Sequence, residues 1–202
     1  ILPALTKARE SAKTIKCASN LKQCGVVFGF YMNDYNEYFP SFTNSAGTVS
    51  WCRVLRNLGY FNVEQGRIPG ILRCPKDKLD ELSDLQFSEL LYGVYGYNYY
   101  WVGSNKGVAP YLPVRLTQLA RPSQTLMLMD SDYRRTKPGV GYFIVNASDP
   151  GDLGATPSNR HSRGTNVLWT GGQVTYVKQI NSVQRYSGVL DNTQTPSFWK
   201  LQ

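Results

Sequence analysis

ILPALTKARESAKTIKCASNLKQCGVVFGFYMNDYNEYFP, residues 1–40, is the stretch on which the fold turns. Leu2, Leu5, Ala8, Ala12, Ile15, Ala18 and Leu21 recur at steps of three and four, the spacing that lines one face of a helix. No Pro or Gly interrupts the run from Ala4 to Cys24, whereas Gly25 and Gly29 weaken the later turns. Asn33-Asp34-Tyr35-Asn36 are poor helix formers, and Pro40 follows them. The pattern predicts one helix over residues 1–38. At about 1.5 Å per residue it would be ~50 Å long. An ordinary globular helix has ~12 residues, so something other than a compact core has to use the excess.

The beginning of the helix suggests what. Ile1-Leu2-Pro3-Ala4-Leu5 is apolar and no N-cap residue precedes it. Lys7, Arg9, Lys13, Lys16 and Lys22 follow, with Glu10 the only acid before Asp34. An apolar segment followed by a basic cluster is the pattern of a helix passing from a bilayer into the headgroup layer. The expectation is that the apolar run continues upstream of Ile1. The positive-inside rule would put this cluster on the cytoplasmic face, in tension with any extracytoplasmic placement of the domain.

Beyond the helix, the composition narrows the classes. With 202 residues, 42% hydrophobic and 18% charged, the chain suits one folded domain and excludes disorder. No apolar run reaches the ~20 residues of a complete membrane span. A net charge of +8 is compatible with nucleic acid, anionic lipid or no specific partner. No Gly-x-Ser-x-Gly, phosphate-binding loop or His/Glu metal pair is present. One His and four Cys without a C-x-x-C cannot make a Cys2His2 zinc set. The chain therefore reads as a non-enzyme, with no catalytic, cofactor-binding or metal residue assigned. Asp130-x-Asp132 and Asp149-x-x-Asp152 are the calcium candidates, and such pairs are more often solvated loop charge.

Strand signals occupy residues 92–178. YGVYGYNYYWV, residues 92–102, is aromatic and strand-like. Its tyrosines suit either a stacking platform for sugars or bases or a strand with one core face and one wet face, and the second is preferred. Thr125–Ser131 and Val140–Asn146 are further strands. Asn166–Thr170 and Gln173–Lys178 form a hairpin, with Gly171-Gly172 suited to a two-residue type I′ turn. Val167, Trp169, Val174 and Tyr176 are its alternating apolar residues. Short helices are expected at Ser50–Leu58 and near Asp80–Leu91. His161 lies in the polar stretch TPSNRHSRGTN. Asp130, Asp132 and Asp149 are candidates to orient it, yet nothing in the sequence places them; a loop-fixing hydrogen bond is the expected role.

Several of these motifs together resemble the bacterial prepilin-like proteins, the type II secretion pseudopilins and type IV pilin-like subunits. The resemblance rests on Leu2-Pro3-Ala4-Leu5, Lys7-Ala8-Arg9, Cys17, Asn20-Leu21-Lys22-Gln23 and Tyr31 through Pro40. Cys74-Pro75-Lys76-Asp77, Arg121-Pro122-Ser123, Asp130-Ser131 and a closing His, nine residues, Asp-Gly motif extend it. In that closing motif His161 is kept, Gly171 stands where the Asp belongs, and Gly172 follows. The resemblance implies an α+β, pilin-like fold: a long N-terminal helix packed on an antiparallel sheet, with loop-rich insertions. It divides one domain of residues 1–202 into a truncated helix (1–38), a loop and short-helix insertion (39–91), the sheet (92–178) and a tail (179–202). The tail's Phe198 and Trp199 are expected to pack back on the domain.

The resemblance further implies a structural subunit of a homo- or hetero-oligomeric filament. The missing apolar helix would anchor it in the inner membrane, with the domain in the periplasm or on the cell surface. Residues 1–202 by themselves would be soluble, and no nucleic-acid partner is implied. The alternative is a membrane-tethered binding module for polysaccharide or nucleic acid. An exported domain is expected to carry disulfides. Cys17 and Cys24 are ~10.5 Å apart along the helix, beyond the reach of a bridge. Two pairings of Cys17, Cys24, Cys52 and Cys74 remain open. The nested one, Cys17–Cys74 with Cys24–Cys52, suits a chain that folds back along the helix.

Overall fold

The computed structural model describes residues 2–42, 50–61, 69–78, 94–104, 112–133, 139–145 and 155–178. Helix α1 runs unbroken over Leu2–Asp34. It ends where Asn36 and Glu37 adopt left-handed φ of 51° and 64°. Glu37 N–H then donates back to Met32 O at 2.8 Å, satisfying one of the last helical carbonyls. Helix α2 follows at Trp51–Asn57, with the Ser50 hydroxyl accepting from Arg53 N–H at its start.

Four strands make the main sheet: β1 (Gly96–Tyr97), β2 (Leu126–Met129), β5 (Gly164–Trp169) and β6 (Val174–Lys178). Their order is β1-β2-β5-β6, and every pairing is antiparallel. Strands β3 (Ser131–Tyr133) and β4 (Ala155–Pro157) form a separate antiparallel pair. A long helix with an antiparallel sheet is an α+β architecture.

The central strands β2 and β5 are buried on both faces. Leu168 of β5, with Met127 and Leu128 of β2, belongs to the core built with α1. Leu126, Met129, Val167, Trp169 and Val177 form a second cluster with Val145. Between Leu126 and Leu128 the register slips. This irregularity lets the neighbours Met127 and Leu128 serve the same cluster, where a regular strand would turn them to opposite faces.

Helix α1 carries two apolar faces, and the packed one is not the one that its first turns advertise. Cys17, Leu21, Cys24, Phe28 and Tyr31 are buried, at alternating steps of four and three. The run Leu5, Ala8, Ala12, Ile15 lies instead on the solvent side: Ile15 is 70% exposed and Leu5 half exposed. At about 100° per residue, Val26 and Phe30 continue that outer stripe, and both are exposed. Sheet contact selects the face whose residues reach Leu168. Gly25 packs tightly on β5, where an added Cβ would sit 3.2 Å from Leu168 Cδ1. Gly29 faces open space. Gly29→Ala is therefore expected to stabilise the fold by about 0.5–1 kcal/mol through helix propensity. Gly25→Ala should lose that gain against Leu168; thermal melts of the two variants compare them directly.

Several strand expectations need correction. Among the described residues of 92–102, only Gly96–Tyr97 is a strand, and Tyr99–Gly103 forms a π-helical turn. Asn98 O accepts from both Val102 N–H and Gly103 N–H, so the chain curls away from the sheet. Val140–Asn146 is no strand where it is described; Ile144 makes a single parallel bridge to Tyr97. Gly171-Gly172 is not a type I′ turn. Gly172 N–H donates to Trp169 O and Trp169 N–H to Gln173 O, and of the two glycines only Gly172 has positive φ, 84°. This is a three-residue loop ending in a left-handed glycine. On the edge strand β6 it is Val177 that is buried, while Tyr176 is 45% exposed. The expected helix near 80–91 and the tail with Phe198 and Trp199 lie outside the described residues.

Candidate functional site: a buried cysteine, histidine and aspartate cluster

Four chain segments converge beneath the middle of α1. The helix supplies Cys17, which begins the packed stripe. The 3₁₀ turn Gly70–Leu72 leads into Cys74, which opens a turn closed by Asp77 N–H to Cys74 O at 3.0 Å. Asn20 ties this loop to the helix, donating to Gly70 O and Arg73 O at 3.0 and 2.8 Å. Asp130 lies between β2 and β3, and His161 heads the turn into β5. In that turn His161 and Gly164 exchange backbone hydrogen bonds. Ser162 and Arg163 between them have φ of 48° and 65°. Positive φ at both central residues is the type I′ pattern, here built from two non-glycine residues at a cost in backbone strain.

The ligand atoms of Cys17, Cys74, Asp130 and His161 all lie within 4.8 Å of one another, and all four residues are buried. Cys17 Sγ donates to Asp130 Oδ1 at 3.0 Å. His161 Nε2 is 3.1 Å from Asp130 Oδ2 and 3.2 Å from Cys74 Sγ. Asn166 N–H donates to Asp130 Oδ2 at 3.0 Å. On its other ring nitrogen, His161 Nδ1 meets Thr14 Oγ1 at 3.1 Å. The Thr14 hydroxyl proton is given to Glu10 O at 2.9 Å, so its oxygen accepts from Nδ1–H.

A buried ion pair adjoins the cluster. Arg160 Nη1 donates to Asp77 Oδ2 at 2.8 Å, and its other amino group donates to Ser131 O. Gly141 N–H also donates to Asp77 Oδ2, at 2.8 Å. Lys76, in the Cys-Pro-Lys-Asp segment, pairs with Glu10 of the helix and donates to Arg160 O.

The electrostatics follow from burial opposed by partners. Burial pushes the Asp130 carboxyl up, but the His161 hydrogen bond and the charges of His161 and Arg160 hold it below the usual carboxylate range. Burial favours neutral His161, yet Asp130 and Cys74 outweigh it and raise the imidazole to about 9. Burial raises the Cys17 thiol, with Cys74 and Asp130 adding to the shift. Cys74 is also opposed by burial, but its hydrogen bonds to Cys17 and His161 and the charge of Arg160 bring it below an ordinary thiol.

Two disulfides are the expectation from the sequence; the structure has four buried free thiols. Cys17 lies beside Cys74 in the cluster, its sulfur turned to Asp130. Cys24 donates to Ile71 O at 3.3 Å, and Cys52 lies near enough for the Cys24 charge to raise it further, after burial. The assignment of no metal residue rests on one His and the lack of a C-x-x-C, and it leaves out a carboxylate as fourth donor. Of the calcium candidates, Asp130 faces His161, and Asp132 Oδ1 accepts from Gly139 N–H at 2.8 Å. Asp149 and Asp152 lie outside the described residues. Gly171 and Gly172 are at the far end of β5 from His161. Tyr95 and Tyr97 are buried, their hydroxyls donating to Cys17 O and Pro40 O respectively, so these two provide core rather than a stacking surface.

No family model matches the chain, and neither a curated protein nor a solved structure is similar to it.

Proposed function

We propose that this chain is the head of a pilin-like structural subunit, built into a type II secretion pseudopilus or a type IV pilus-like filament. The observation that carries the reading is the double-faced helix. One apolar face of α1 is satisfied by the sheet; the other, through Leu5, Ala8, Ala12, Ile15, Val26 and Phe30, faces solvent along most of its length. Residues 3–9 are exposed all round. The unpacked first turns of this 33-residue helix owe little of their stability to this domain. Packing against copies of itself would bury the two apolar stretches of this face, Leu5 to Ile15 and Val26 to Phe30, which the exposed Ser19, Lys22 and Gln23 separate.

Among the described residues no helix is long and apolar enough to cross a membrane. On this reading the anchor is an apolar segment upstream of Ile1. The test uses the native gene in its own host. Sheared surface filaments and membranes should contain the protein, with its leader removed, and deletion of the host's prepilin peptidase should abolish both processing and filament recovery. Recovery of an unprocessed protein confined to the cytosol, with no change on that deletion, would sink the proposal.

A further inference from the structure

We infer that Cys17, Cys74, Asp130 and His161 form a closed structural zinc site that staples α1 to the sheet and to the Cys-Pro-Lys-Asp loop. The cluster's geometry carries this independently of the filament reading. Two sulfurs, one imidazole nitrogen and one carboxylate oxygen are a four-ligand set that suits Zn²⁺, which is almost always tetrahedral in structural sites. Bond lengths of ~2.0–2.3 Å make the edges of such a tetrahedron about 3.3–3.8 Å. Two observed edges, Cys17 Sγ to Asp130 Oδ1 at 3.0 Å and Cys74 Sγ to His161 Nε2 at 3.2 Å, are slightly shorter, and the four residues' ligand atoms lie within 4.8 Å of one another. Shifts of a few tenths of an ångström to about one ångström reach the metal geometry without moving an element.

The surroundings are those of a ligating histidine. Thr14 accepts from Nδ1–H and thereby leaves Nε2, the nitrogen that faces the two sulfurs and Asp130, to bind the metal. A hydrogen-bond partner on the second ring nitrogen is the usual outer support of a metal-bound imidazole. Asp130 Oδ2 is held by Asn166 N–H, which leaves Oδ1, now taking the Cys17 thiol proton, as a ligand. Arg160 acts electrostatically on both Cys74 and Asp130, a cation suited to offset an excess of anionic ligands. All four donors are buried, so no position is left for a substrate, and the site would be structural, not catalytic. As the metal–ligand bonds form, the two thiol protons and the His161 Nε2 proton leave to solvent and no electrons are exchanged.

The test is a titration of the whole chain, purified under reducing conditions and stripped with a chelator, with Co²⁺ as a spectroscopic stand-in. One equivalent should develop sulfur-to-cobalt charge transfer and the intense visible bands of tetrahedral Co²⁺, and Zn²⁺ should abolish them. Cys17→Ser and Cys74→Ser should each weaken Co²⁺ binding by about 100-fold or more. Thr14→Val should weaken it by about 10–100-fold, the range for outer-sphere partners. Cys24→Ser and Cys52→Ser, which lie outside the cluster, should leave the spectrum intact. Circular dichroism identifies any variant that fails to fold, and the wild-type titration decides the matter even then. A wild-type protein that shows no thiolate–cobalt bands would overturn the inference. So would a native protein two mass units lighter with Cys17 and Cys74 in one cross-linked peptide, because those sulfurs would then be a disulfide.

Discussion

Asp130→Ala should cost about 3–5 kcal/mol of folding stability, the range for removing one partner of a buried charge pair. Asp130 is 1% exposed. Its carboxylate accepts from Cys17, His161 and the Asn166 backbone at once. Alanine leaves His161 and the Asn166 N–H facing a void, and it removes the charge that keeps the imidazole protonated. Desolvation then pushes His161 to the neutral form, which recovers part of the loss but not the lost hydrogen bonds. Asp130→Asn should be milder, because the amide keeps the shape and one acceptor. Asp132→Ala, which removes the acceptor for Gly139 N–H, should cost about 1 kcal/mol. Urea denaturation of chelator-treated protein orders the three. A fall of under about 1 kcal/mol for Asp130→Ala would show that the cluster does not hold the helix to the sheet.

The second large effect separates two phenylalanines on one helix. Phe28 is fully buried, with ring centroids 5.3 Å from Trp51 and 5.5 Å from Tyr97. It joins α1, α2 and β1 at one point. Phe28→Ala should cost about 3–5 kcal/mol, from lost transfer energy and the cavity left among rings that cannot collapse onto it. Phe30 lies two residues on and is 62% exposed. Phe30→Ala should change the stability of the isolated domain by less than about 0.5 kcal/mol. On the proposed function it should nevertheless reduce filament yield in the host. Equal losses of domain stability for the two variants would mean that the outer stripe is packed against this same chain, and the assembly reading would lose its support.

Much of the helix is legible in the sequence, because a three/four period without breakers constrains every residue it touches. Its end is less legible: the predicted helix runs to residue 38, whereas it stops at Asp34 and Asn36 and Glu37 take left-handed backbone. The buried face is not legible. Leu5, Ala8, Ala12 and Ile15 are as periodic as Cys17, Leu21, Cys24 and Phe28, and periodicity identifies a face without naming its partner. The aromatic run at 92–102 misleads because strand propensity depends on neighbours: Asn98 O takes Val102 and Gly103 N–H, and the chain leaves the ladder. The glycine pair at 171–172 allows a tighter turn than the one formed. The two-residue turn with positive φ forms instead at Ser162-Arg163, residues that local chemistry would not nominate.

What the linear order of residues settled about this protein is its class and its axis: an α+β chain with one long helix ahead of an antiparallel sheet. These follow from interactions between residues three, four or two apart, which any local reading can find. The cluster was settled by packing. Cys17 and Asp130 are 113 residues apart and Cys74 and His161 are 87 apart, so no spacing rule connects them. They meet because α1 packs on β5, because Asn20 pins the Cys74 loop to the helix, and because a strained turn aims His161 inward. Burial then changes the chemistry: in a medium that solvates ions poorly, Asp130 keeps its charge only through its partners, and it holds His161 as the imidazolium.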